Sequence, residues 1–144
     1  MTTDRIEALA EGFLACTLPK EEWTHEAHLI VGLWHLNRYP FYEALLRMRC
    51  RIITYNQATG GVNSADSGYH ETLTEFWLRQ LAEFRRSAGE EKSLEQQCNQ
   101  LFASSFADRR LPFEYYSREL LFSVRARAKW TEPDLQTFQL LNFL

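Results

Sequence analysis

WTHEAHLIVGLWHL, residues 23–36, is a mostly apolar stretch that carries three of the chain's four histidines. Thr24 stands where a helix N-cap is expected, so the stretch predicts a helix. On a helix that advances about 100° per residue, His25, His28 and His35 fall within a sector of roughly 80°. The sequence therefore predicts a stripe of histidines along one face of an apolar helix.

Helical patterns continue on both sides of this stretch. Most predicted helices have an apolar stripe at helical spacing, and capping residues or prolines stand near several of their starts. The predicted helices cover 4–16, 24–39, 40–55, 69–87, 93–106, a sixth from 112 to 124, and a short last one from 131 into the terminal LLNFL. No segment makes a convincing strand. We expect one all-α domain over residues 1–144, a bundle of six to seven helices.

Composition excludes several classes of protein. Hydrophobic residues make up 45% of the 144 residues, which is typical of a folded domain and argues against disorder. The net charge is −3 and basic residues are scattered, so neither nucleic acid nor an anionic membrane is an expected partner. No segment approaches the ~20 uninterrupted apolar residues that a membrane span needs.

Cysteine usage and the N-terminal sequence indicate the cellular compartment of the protein. The chain has three widely spaced cysteines and no CxxC pair, which fits buried thiols in a reducing environment. The first residues carry acids where a signal peptide would have a basic start. We therefore expect a cytoplasmic protein.

The histidine spacing predicts a metal site. His25 and His28 differ by a rise of about 4.5 Å and can share an ion, whereas His35 lies about 15 Å along the axis from His25. His70, which follows the loop at 58–68, is the expected third ligand. Three imidazoles and a water molecule would make an open site for a divalent metal such as zinc, iron, nickel or manganese.

Two carboxylates and one arginine complete this hypothesis. Glu26 and Glu71 each directly follow a histidine, and either could act as a base on a bound water. Arg125 could orient the carboxylate of a substrate. The reaction would be hydrolysis or addition of water to a small molecule, although HEAH lacks one residue relative to the HExxH of zinc proteases. Whether the protein is an enzyme stays open at this point.

Two alternatives belong to other classes. The histidines could carry out acid–base chemistry without a metal, in a protein that binds a small molecule in a pocket walled by Trp23, Trp34 and Trp77. The protein could also be a non-enzymatic helical module, with hydrogen-bonded histidines in its core, that binds a partner or forms a homodimer through the terminal LLNFL, residues 140–144.

Two local features leave their own alternatives. Gly32 removes side-chain bulk between His28 and His35, so another helix or a ligand can approach there. The loop at 58–68 could cradle an anion at the start of the following helix, or it could be a solvated connection.

Three motifs also carry a resemblance. WTHEAHL, GYHETLT and the later ARAKWTEPD are similar to the motifs W-T-H-x-A-H-L, G-Y-H-E-T-x-T and A-R-x-x-W/F-x-x-P-D of an uncharacterised group of small bacterial proteins. The similarity covers the chain from about Trp23 to Leu135. It implies no activity, but it implies that four residues belong to one shared feature: His25, His28, His70 and Glu71.

Overall fold

The structure is a computed structural model that describes residues 1–138, and over this range it confirms the all-α fold class. Within these residues there are eight α-helices, two 3₁₀ turns and no strand. The helices are α1 (Thr3–Leu14), α2 (His25–Leu36), α3 (Phe41–Ala58), α4 (Glu71–Ala88), α5 (Leu94–Phe102), α6 (Pro112–Tyr115), α7 (Arg118–Leu121) and α8 (Val124–Ala128), and the 3₁₀ turns are Lys20–Glu22 and Ser105–Ala107. No helix in this range is both long and apolar enough to cross a bilayer.

Helix α2 is the central element of the bundle. It packs against α1, α3, α4 and α5, and every residue from Leu29 to Leu36 is buried. A helix that is apolar nearly all round is expected to be enclosed on all sides. Of the histidines of α2, His35 is therefore fully buried, whereas His25 and His28 at the start of the helix are half-buried.

Two of the predicted helix starts are formed by the expected side chains. The hydroxyl of Thr24 accepts a hydrogen bond from the backbone N–H of Ala27 at 3.2 Å. Ser93 and Gln96 form a reciprocal capping box at the start of α5. Such caps satisfy N–H groups that have no partner within the helix.

The segment after α5 differs from the prediction. The helix expected up to residue 106 ends at Phe102, and the single helix expected over 112–124 is divided into α6, α7 and α8. Ser117 and Ser123 explain the division, because each hydroxyl accepts a backbone N–H three residues later and so starts a new helix. Residues 131–138 contain no helix, and LLNFL lies outside the described residues, so dimerisation through it stays a prediction.

Hydrogen bonds and apolar contacts hold the segment of short helices against α4. Thr72 on α4 donates its hydroxyl hydrogen to the carbonyl of Ala126 at 2.6 Å, and the buried Tyr116 hydroxyl donates to the carbonyl of Thr131 at 2.7 Å. Phe76, Tyr116 and Leu121 form a second, smaller apolar cluster beside the main core. The C-terminal part of the described chain is thereby held against the beginning of α4.

Helices α2 and α4 pack closely together at Gly32. A Cβ atom at this position would lie 2.6 Å from Cδ1 of Leu81, closer than real Cβ contacts allow. Of the two sequence alternatives, the neighbouring helix takes the space directly above the glycine. Gly32 also lines the floor of the cleft described next.

Candidate functional site: a histidine-lined cleft

A cleft of about 550 Å³ lies between α2, α3 and α4 and is bordered by the segment after α5. Its floor is apolar and includes Met48, Leu78 and Leu81. Its walls carry six rings, those of Trp23, His25, His28, Tyr69, His70 and Trp77. The three histidines that the sequence singles out for a metal site thus line one cavity, together with two of the three tryptophans expected to wall a pocket.

The His28 ring is neutral and presents a free acceptor. Its Nδ1–H donates to the carbonyl of Thr24 at 2.7 Å, and the ring packs on Trp23 with centroids 3.8 Å apart. A carbonyl can only accept, so Nδ1 carries the hydrogen and Nε2 keeps its lone pair. Burial lowers the pKa of His28 to about 4, outweighing the opposing effect of the bond to Thr24. Nε2 has no hydrogen-bond partner among residues 1–138.

The His25 ring has the opposite tautomer when it is neutral. Its Nε2–H donates to the carbonyl of Ala107 at 2.9 Å, and its edge meets Trp77 with ring centroids 4.9 Å apart. The remaining lone pair is therefore on Nδ1. The bond to Ala107 also fixes the Ser105–Ala107 turn against the first residue of α2.

The His70 ring is buried, and both of its nitrogens are in use. Nδ1 accepts the backbone N–H of Leu73 at 3.1 Å, so the imidazole is the N-cap of α4. Nε2–H donates to the carbonyl of Leu121 at 2.6 Å. Burial lowers the pKa of His70 because it penalises the charged ring, and it outweighs the opposing effect of the bond to Leu121. Only the neutral ring can make both bonds.

These bonds decide how well a metal ion fits. His25 and His28 each offer one free ring nitrogen, but His70 could coordinate only by giving up a bond to the backbone. Within residues 1–138, no three His, Cys, Asp or Glu side chains are grouped so that they could hold an ion. The hydrogen-bonded arrangement does not fit a three-histidine centre, and metal binding at His25, His28 and His70 stays a prediction.

Neither of the two candidate bases lines the cleft. Glu26 is exposed and does not line it. Glu71 is buried beside the cleft wall and is bound by the Arg49 guanidinium and by the Tyr69 hydroxyl, the latter at 2.7 Å. Burial acts to raise the pKa of Glu71, but the hydrogen bonds from Arg49 and Tyr69 outweigh it and hold the pKa below its usual value. A role for either carboxylate as a base stays a prediction without support from its placement.

The arginine at the cleft is not the one the sequence favours. Arg125 is exposed on α8 and does not line the cleft, whereas Arg109 does. Asp108 pairs with Arg110 at 2.9 Å, so the adjacent carboxylate does not neutralise Arg109. The sequence signal for Arg109 is weak, because only the DRR run marks it and its location depends on the turn after α5.

His35 lies outside the cleft and is a core residue. Its Nδ1–H donates to the carbonyl of Val31 at 2.7 Å, and Nε2 accepts from Arg51 at 2.6 Å. Burial lowers the pKa of His35 to about 4, and the positive charge of Arg51 adds to this. His35 is therefore a buried, hydrogen-bonded histidine, separate from the cleft.

The loop at 58–68 reaches the cleft with its last residue, Gly68, and is held by side-chain amides. Asn63 accepts the backbone N–H of Tyr69 at 2.9 Å and donates to the carbonyl of Ile53 at 3.2 Å. Gly68 lines the cleft with a φ of +78°, a conformation that favours glycine. Binding of an anion by the loop itself stays a prediction.

Fold and cleft together define a class: an all-α protein with an aromatic, histidine-lined cleft next to its central helix. Comparison with known proteins gives no match to a family, to a curated protein or to a solved structure. The resemblance to the WTHxAHL group therefore stays an expectation, and the functional argument depends on the cleft alone.

Proposed function

We propose that the protein binds a small, largely apolar and planar organic molecule in the histidine-lined cleft, with His25 and His28 as hydrogen-bond partners of that molecule. The observation that carries the proposal is the cleft itself. Its volume of about 550 Å³ lies within the usual range of small-molecule sites, and aromatic and aliphatic side chains surround a few free polar atoms.

The apolar lining supplies the affinity. A two-ring ligand that loses roughly 200 Å² of apolar surface to the cleft gains about 5 kcal/mol at 25 cal/mol per Å². Part of this gain offsets the entropy lost on association, so a ligand without optimised polar contacts should bind in the upper micromolar to millimolar range.

The free imidazole nitrogens supply the polar contacts. Nε2 of His28 and Nδ1 of His25 have lone pairs, and both residues line the cleft. Because the pKa of His28 is lowered to about 4, its ring is neutral at physiological pH and accepts a hydrogen bond rather than donating one. This differs from the alternative of histidine acid–base chemistry, and it favours binding over acid–base turnover by His28.

A ligand titration with a cleft-filling variant tests the proposal. 2-Naphthol is a suitable probe because it is planar, apolar and carries one hydroxyl donor. Leu73→Trp places bulk in the cleft, which Leu73 lines, and Leu46→Trp makes the same substitution at an exposed site on α3. Circular dichroism shows whether each variant folds.

We expect calorimetry to detect binding of 2-naphthol to the parent protein and to Leu46→Trp with similar affinity. Leu73→Trp should weaken binding by about tenfold or more, which corresponds to about 1.4 kcal/mol. A folded Leu73→Trp variant that binds like the parent would place the probe elsewhere, and no binding of the probe to the parent protein at millimolar concentration would contradict the proposal.

A further inference from the structure

The charge of the cleft lining is one-sided. Among the described residues that line it, Arg109 is the only one with a permanently charged side chain, and none is an aspartate or glutamate. A ligand amine would find no carboxylate to pair with, whereas an anion would find a guanidinium. Arginine binds carboxylates with two parallel hydrogen bonds, which adds geometric selectivity to the attraction of opposite charges.

Local structure holds Arg109 at the edge of the cleft. The His25–Ala107 hydrogen bond of 2.9 Å fixes the chain two residues before Arg109 against the start of α2. Asp108 is bound by Arg110 through both backbone and side chain, which leaves Arg109 without an ion pair in the described chain. Thr24 and His25, at the positive end of the α2 dipole, line the same cleft.

The free ring nitrogens of His25 and His28 require a hydrogen-bond donor rather than a negative charge. Nε2 of His28 and Nδ1 of neutral His25 are both acceptors, because the second nitrogen of each ring donates to a backbone carbonyl. A bound ligand that covers these nitrogens without offering them a donor would leave them unsatisfied. The cleft therefore selects for a hydroxyl or N–H group on the ligand as well as for a negative charge.

Given the proposed function, on which this inference depends, we infer that the ligand class is an aromatic carboxylate that carries a hydroxyl group, with its carboxylate on Arg109 and its hydroxyl donating to His25 or His28. The aromatic body occupies the apolar space between Trp23, Trp77 and the floor of the cleft. A neutral aromatic hydrocarbon satisfies neither polar requirement, and an aromatic amine meets the wrong charge.

Four related probes separate the contributions of charge and donor. They share the naphthalene body: 6-hydroxy-2-naphthoate has both groups, 2-naphthol lacks the carboxylate, 2-naphthoate lacks the hydroxyl, and 6-methoxy-2-naphthoate replaces the donor by an ether. Arg109→Gln removes the charge at the cleft. Arg86→Gln is the control, since Arg86 is an exposed arginine on α4 that does not line the cleft and whose ion pair is with Glu83 rather than with the segment that holds Arg109.

We expect 6-hydroxy-2-naphthoate to bind about tenfold more tightly than 2-naphthol, and about tenfold more tightly than 2-naphthoate or the methoxy compound. Arg109→Gln should abolish the advantage of the carboxylate and leave 2-naphthol binding unchanged, whereas Arg86→Gln should preserve both. Added salt should weaken only the carboxylate probes, because an exposed charge pair is screened.

The outcomes distinguish this inference from the proposed function. If 2-naphthol binds in the cleft but the carboxylate does not increase the affinity, the assignment of an acidic ligand is wrong and the binding function stands. The same conclusion follows if the increase in affinity survives Arg109→Gln. If the hydroxyl and methoxy compounds bind equally, the assignment of a donor is wrong. If none of the four probes binds, both proposals fail together.

Discussion

The buried histidines should make the protein lose stability in mild acid, and His35 allows this to be measured at a single residue. His35 is fully buried, and in the neutral form it donates to Val31 and accepts from the charged guanidinium of Arg51. A protonated ring has no lone pair for Arg51 and would place two positive charges together. The perturbation is His35→Gln, whose side-chain amide can still donate and accept but does not titrate.

The sign of the effect follows from the direction of the pKa shift. Burial lowers the pKa of His35 from 6.5 to about 4, so the unfolded chain takes up the proton first as the pH falls. The contribution of His35 is fully present above about pH 6.5 and is lost as the pH falls toward 4. Between pH 7 and pH 5 this one residue should remove about 2 kcal/mol, at about 1.4 kcal/mol per unit of separation between the two pKa values.

Urea unfolding at pH 7, 6 and 5, followed by circular dichroism, measures this loss. As the pH falls, His28, whose pKa is also lowered to about 4, and His70, whose pKa is lowered, destabilise the folded protein in the same way as His35. The pKa of Glu75 is raised, so this residue stabilises the folded protein as the pH approaches 5. Comparison of parent and variant cancels these shared contributions. The free energy of unfolding of His35→Gln should fall by about 2 kcal/mol less than that of the parent over this range. Equal losses in the two proteins would refute the reasoning.

Three further predictions concern single side chains. Thr24→Ala removes the hydroxyl that caps α2 and should lower the free energy of unfolding by about 1 kcal/mol, whereas Thr24→Ser should keep most of it; a full loss in the serine variant would contradict a role for the hydroxyl. Tyr116→Phe leaves the buried carbonyl of Thr131 without its donor and should cost about 1–2 kcal/mol in urea unfolding, so an unchanged midpoint would argue against that bond. Because the ring of His70 is bound to the backbone at both nitrogens, untagged protein incubated with zinc, iron, nickel and manganese salts should retain no stoichiometric metal when its metal content is measured. One equivalent of metal in the parent protein, lost in a His25→Gln variant, would instead support the three-histidine site.

Local signals explain why much of the bundle could be predicted. The starts of α2 and α5 depend on side chains within three residues of the helix, and both are read directly from the chain. The mostly apolar stretch that contains the histidine stripe likewise predicts a helix, and α2 forms there. The serines at 117 and 123 are also local signals, but the apolar spacing through Tyr116 favours a continuous helix, and only the capping bonds reveal the breaks.

The chemistry of the site could be predicted only in part, because it depends on contacts between distant segments. The sequence groups His25, His28 and His70, and all three line one cleft. It does not reveal that the ring of His70 is bound to Leu121, 51 residues away, or that Glu71 is bound to Arg49. Arg109 reaches the cleft through the turn that follows α5, whose geometry has no simple sequence signature.

The histidine ¹⁵N resonances test the central claim, that the free nitrogens of His25 and His28 accept hydrogen bonds from an organic ligand. In a long-range ¹H–¹⁵N spectrum at neutral pH, the unprotonated nitrogens of these two rings should shift as 2-naphthol is added, saturating at one equivalent bound. The resonances of His70 and His35, whose nitrogens are already paired, should stay in place. If binding occurs while the His25 and His28 resonances do not move, or if His70 shifts in their stead, the account of this cleft is contradicted.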